Sequence, residues 1–152
     1  MSTDERQPGQ RATDAQDQPT AGELRTSGLL EISNAMVRLY KEQFGRGPTR
    51  ARTHWAGPDA LVCFLEDTLT PAERNLVQMG QHQRLRDMRL FFQYATLREF
   101  CEPVEQVTGR KVHSFHSSVD TKVDGLAIET FILYPEGENG PSRIELAGAD
   151  EV

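Results

Sequence analysis

The amino-acid sequence predicts an α+β fold: two layers in the order α-β-β-α-β-β, with a four-stranded, mainly antiparallel sheet, an N-terminal helix and one long helix. Three observations predict it. Apolar residues recur every three or four positions from Gly22 to Phe44 and again across Thr70 to Gly109. After each of these segments the period changes to two, in a pair of short runs separated by turn residues. Both ends of the chain carry almost nothing to bury, so residues 1–21 and the acidic residues 135–152 are expected to be disordered tails around a domain at 22–134.

In the first helix Leu29, Ile32, Met36, Tyr40 and Phe44 form one apolar stripe. Gly45-Arg46-Gly47-Pro48 ends it, with a glycine available for a left-handed cap and a proline that forbids resumption. The glycines read as a cap rather than a phosphate cradle, because they face the negative end of the helix dipole and Pro48 has no N–H to donate.

Thr49 to Ala56 sets Arg50, Arg52 and His54 against Ala51, Thr53 and Trp55, the alternation of a half-buried strand. Gly57-Pro58-Asp59 supplies a turn, and Ala60 to Glu66 the second strand of a hairpin. Leu61, Cys63 and Leu65 share one face of that strand while Val62 and Phe64 share the other, so both faces call for cover.

Thr70-Pro71-Ala72-Glu73 opens the long helix with a capping hydroxyl, a proline at the first helical position and a glutamate to close a capping box. Leu76, Val77 and Met79, then Leu85, Met88, Phe91, Phe92, Leu97 and Phe100, give it apolar surface. A weak point is expected at Gly80 and a kink at Pro103, before Gly109 turns the chain off the helix. Lys111 to Val119 and Leu126 to Tyr134 form the second hairpin, and Leu126, Ile128 and Ile132 oppose Phe131 and Leu133 across the last strand. Two helices cover one side of such a sheet, and each exposed Val, Phe or Ile on the other forgoes about 1.5–3 kcal/mol of burial. A homodimer through the open sheet face or its edge is the expected cover.

The charge of −6 lives in the ends. Residues 22–134 carry fourteen Lys/Arg against fourteen Asp/Glu, which argues against nucleic-acid binding driven by counterion release. Cys63 and Cys101 sit among apolar neighbours and read as buried thiols of a reducing compartment. The N-terminus offers no apolar signal segment, and the longest apolar run, Ala60 to Leu65, is far short of the roughly 20 residues of a membrane helix. A cytoplasmic protein without direct membrane insertion is expected.

No residue announces a reaction or a cofactor. His113 and His116 lie three apart in a strand, an offset that sends them to opposite faces and away from a common metal ion. Ser114, Ser117 and Ser118 beside them lack the sharp turn and glycines of an activated nucleophile. Arg50 and Arg52 form one basic row, and Arg84, Arg86 and Arg89 a second group on the long helix. Both read first as solvated surface, with an RNA- or anion-binding patch as the alternative. Arg46, Arg50, Arg52, Arg89 and His116 are the candidate anion- or partner-binding residues.

Several of these segments together resemble the MpsC-like family: Gly45-Arg46-Gly47-Pro48 after an amphipathic helix, Leu69-Thr70-Pro71-Ala72-Glu73 opening a long helix that contains Arg89, and Thr108-Gly109 followed by Val112, His116 and Asp120-Thr121-Lys122. The likeness spans about residues 24–134, and Ser118 stands where that family commonly has an acid. The family comprises small bacterial domains of unknown function, named after a sodium-translocating, membrane-potential-generating system also connected with uptake of dissolved inorganic carbon. The resemblance implies a soluble, non-enzymatic accessory protein working with a membrane transport subunit. It brings no catalytic residues.

Overall fold

The computed structural model describes Gln18 and residues 20–147, so most of the expected N-terminal tail lies outside the described residues. The order of elements is α1 (Ala21–Phe44), β1 (Arg50–Trp55), β2 (Ala60–Glu66), α2 (Pro71–Gln78), α3 (His82–Ala95), α4 (Leu97–Thr108), β3 (Val112–Val119), β4 (Ala127–Leu133) and α5 (Arg143–Ala147). The fold is α+β, and its single four-stranded sheet has the order β1-β2-β4-β3 with every pairing antiparallel.

Two helices start on the same device. Thr70 accepts from the Glu73 N–H while Glu73 accepts from the Thr70 N–H, and Thr20 and Glu23 do the same for α1. Each box satisfies two N–H groups that a helix start leaves without intrahelical partners. Gly45 and Gly109 end α1 and α4 in the left-handed conformation that only glycine adopts without steric cost.

The one long helix expected from Thr70 to Gly109 is three helices. Gly80 at φ 71° breaks it where the sequence is weakest. The second break falls at Thr96, at φ −111° and ψ 29°, where the Thr96 hydroxyl donates to the Phe92 carbonyl and accepts from Gln43 Nε2. A side chain that binds the preceding turn and α1 competes with continuation of the ladder. Pro103 lies inside α4, which runs from Leu97 to Thr108.

Ile32, Met36 and Tyr40 of α1, Leu85 of α3, and Leu97, Phe100, Cys101 and Val104 of α4 share one core with Leu61, Cys63, Leu65, Phe115, Phe131 and Leu133 of the sheet. Gly28 lets α1 and α4 approach closely, since a Cβ there would lie 2.7 Å from Val107 Cγ1. The acidic C-terminal segment also departs from expectation. It turns back through the Tyr134 hydroxyl donating to Pro141 O, and Ser142 donates to Glu105 Oε2. Ile144 and Ala147 of α5 then pack on the core.

Candidate functional site

The buried face of the sheet carries a polar rung. The strand register lines up Thr53, Cys63, Glu129 and Ser117 across all four strands. Glu129 is fully buried between Ala127 and Phe131, and its Oε1 accepts from the Tyr40 hydroxyl at 2.5 Å and from Gln93 Nε2 at 2.9 Å. Ser33 and Thr53 close the other end of the rung with a hydroxyl pair at 2.7 Å. Burial drives the Glu129 carboxyl up to about 8, outweighing the pull of Tyr40, Ser117 and Arg89 toward the charged form. At neutral pH the group is therefore a carboxylic acid with a proton to place on Oε2, and Ser117 Oγ approaches it without completing a hydrogen bond. The Tyr40 phenol is raised well above its ordinary value, by burial and then by Glu129 beside it.

A second buried polar unit joins α2 to α3. Arg89 is 0% exposed; its Nε and Nη2 donate to the two oxygens of Glu73 at 2.5 and 2.7 Å, and Nη2 also donates to Thr68 O. The guanidinium carbon stands 4.1 Å from the centre of the Phe44 ring, and the Tyr40 ring lies beside it at 5.6 Å. Burial raises the Glu73 carboxyl, but hydrogen bonds from Arg89 and Thr70 overcome it and hold the group below its ordinary value.

These positions redistribute the candidates drawn from sequence. Arg89 does not share a surface with Arg84 and Arg86; it is a core residue. Arg46 is a tie between loops, donating to Asp67 Oδ2 and to the carbonyls of Asp67 and Leu69. Asp67 is the one non-glycine residue with positive φ among the described residues, at 54°, and Arg74 grips its other oxygen. Arg46 first, then Arg74, hold the Asp67 carboxyl below its ordinary value.

Arg50, Arg52 and His116 do lie on the open face of the sheet. Arg52 is paired with Glu66 at 2.7 Å, while Arg50 and His116 are exposed. The strand order puts β1 and β3 at opposite edges, so the arginine row and His116 are separated by two strands, about 14 Å at ordinary strand spacing. Between them lie Val62, Phe64, Ile128 and Ile132, each half-buried, with Thr130 opposite His116. A bulge between Val112 and Ser114 breaks the alternation that was expected to separate His113 from His116. Instead His113 sits edge-on to Tyr134 at 5.0 Å. Among the described residues no three His, Cys, Asp or Glu side chains are grouped to hold a metal.

A groove of about 770 Å³ lies elsewhere, between the first half of α1, the β1–β2 turn and the end of α4. Leu24, Arg25, Trp55, Val107 and Arg110 are among its lining, and none of the candidate residues is. Its Arg110 is already committed to Asp59 Oδ1 and to the carbonyls of Pro58 and Tyr134.

The rung was missed in the sequence although the signal was present: period two from Ala127 puts Glu129 on the same face as Phe131 and Leu133. No helix among the described residues is long and apolar enough to cross a membrane. Comparison with curated proteins and with solved structures yields no match. The family model described as Na+-translocating membrane potential-generating system (MpsC) matches residues 26–134, from the second turn of α1 to the residue after β4. With both helical units and both hairpins inside that match, the chain belongs to the MpsC family.

Proposed function

We propose that this chain is a non-enzymatic accessory component of a Na+-translocating, membrane-potential-generating system, working on the cytoplasmic side by protein contact. The observation that carries this reading is the open face of the sheet. Val62, Phe64, Ile128 and Ile132 form a half-covered apolar centre, bounded by Arg50 and Arg52 on one edge strand and His116 on the other. An apolar centre within a polar margin is the composition of a protein-binding surface. The buried groups, by contrast, are sealed: Glu129, Arg89 and Gln93 have no exposure through which a substrate could reach them.

The RNA- or anion-binding alternative draws on Arg50, Arg52, Arg84, Arg86 and Arg89. Arg89 is internal, Arg52 is neutralised by Glu66, and Arg86 is engaged by Gln83 and Thr121, which favours protein contact.

The test is genetic and electrical. Deleting the chain from its own cell should lower the Na+-dependent membrane potential read by a potential-sensitive dye. The wild-type chain should restore it, and a chain carrying Arg50→Glu with Val62→Lys should not. An unchanged potential after deletion would remove the transport reading. Full rescue by the doubly substituted chain would remove the sheet face.

A further inference from the structure

Helix α3 is built inside out. Its buried side is Leu85, Arg89 and Gln93, two of the three polar, while Met88, Leu90, Phe91, Phe92 and Tyr94 stand on its exposed sides. Phe91 is 71% exposed, on the side of the helix opposite Arg89 and Gln93. A helix that spends its inward face on an ion pair and an amide gains little from its own core. A run of exposed apolar residues on a regular helix marks a contact surface.

We infer that the outer face of α3 is the self-association surface of this protein, joining two copies as an antiparallel, two-fold pair of α3 helices. Size supports a second copy. Met88, Phe91 and Phe92 share one side of the helix, while Leu90 and Tyr94 turn toward the other, where Tyr94 packs on Phe115. Taking ~200 Å² for a large side chain, the three present roughly 300 Å² per chain. Two such faces remove about 600 Å² of apolar surface together, and at the roughly 57% apolar share of an ordinary interface the polar rim brings the total to the ~1,000 Å² of a specific one.

Self-complementarity supports it further. Centred between Met88 and Phe91, an antiparallel pair sets each Phe91 against the other copy's Met88, a favourable thioether–aromatic contact made twice by symmetry. The same register brings Arg84 beside the other copy's Ala95. The last turn of α3 has no basic residue of its own, so Arg84 would complement the negative end of the partner helix. This places the dimer on α3 instead of the sheet, where the apolar side chains are already half covered, and it leaves the sheet face free for a different protein. The inference does not depend on the transport reading.

The full chain at tens of micromolar should give, by multi-angle light scattering, twice its 17.1 kDa mass. Phe91→Glu should return it to the mass of one chain with an unchanged circular dichroism spectrum, because that side chain is 71% exposed and its aromatic partner in the same chain is Phe92, itself at the surface. Met88→Cys with Phe91→Cys, which this register sets against each other, should form a covalent dimer when oxidised under native conditions, since the two native thiols are buried. A monomeric wild-type chain overturns the inference, and so does a dimer that survives Phe91→Glu but is lost on Val62→Lys. So too does a monomer whose α3 face binds phospholipid vesicles in a Phe91-dependent way.

Discussion

Arg89 on α3 donates two hydrogen bonds to Glu73 on α2, and neither side chain is more than 2% exposed. Glu73 also closes the capping box of α2, so one carboxylate starts one helix and anchors the next. Removing one partner of a buried ion pair leaves the other charged and unsolvated, typically at a cost of about 3–5 kcal/mol. Arg89→Met should lower stability by that order in urea unfolding. Adding Glu73→Gln, which keeps the cap, should recover part of the loss. A double-variant loss equal to the sum of the Arg89→Met and Glu73→Gln losses would show that the pair is not coupled.

Glu129 makes stability depend on pH in a definite direction. Its carboxyl titrates at about 8 in the fold against 4.5 for the ordinary group, so between those values the folded chain holds a proton that the unfolded chain has released. This contribution is complete below about 4.5 and is lost as pH rises toward 8. The urea midpoint should therefore fall from pH 5 to pH 8 and level above it. Glu129→Gln, which keeps the acceptor for Tyr40 and Gln93, should flatten that slope.

Glu73 acts at the other end of the scale. Its carboxyl is held below 4.5, so its stabilising contribution is present above that value and is lost as pH falls through the depressed one. Stability should therefore also decline in acid. In Glu73→Gln the acid limb should soften while the limb between pH 5 and 8 persists.

Gly28 sets the distance between α1 and α4. Gly28→Ala places a methyl 2.7 Å from Val107 Cγ1, and overpacking of this kind costs about 1–3 kcal/mol. Val107→Ala in the same chain should relieve it, giving a favourable coupling in a double-mutant cycle of thermal midpoints. Additive losses would place the strain elsewhere.

Burial pushes the Cys63 thiol up to about 11 and the Cys101 thiol up to about 12, in the second case reinforced by Glu105. Neither is a reactive thiolate at neutral pH. Both should modify with an aromatic disulfide reagent only at the rate of unfolding, in one phase. A fast phase involving one thiol would show an opening that reaches it.

Much of the scaffold was legible because short-range rules govern it. The α1 stripe, the Thr70-Pro71-Ala72-Glu73 start, the glycine stops and the four strands all follow from patterns within a few residues. The interruption at Gly80 was legible for the same reason. The break at Thr96 was not, because it depends on Gln43, which is distant in sequence. Nor was the docking of α5, whose anchor is Glu105 on α4.

By itself the sequence determined an α+β domain of two helical units and two hairpins, the MpsC resemblance and the basic margin of the sheet, because periodicity and capping are local. Tertiary structure alone decided that Arg89 is a core residue instead of a surface cation, and that Glu129 crowns a polar rung spanning four strands. It also decided that α3 turns Phe91 outward. Each of these depends on partners brought together from distant parts of the chain, and periodicity records that a side chain has a face without recording what will lie against it.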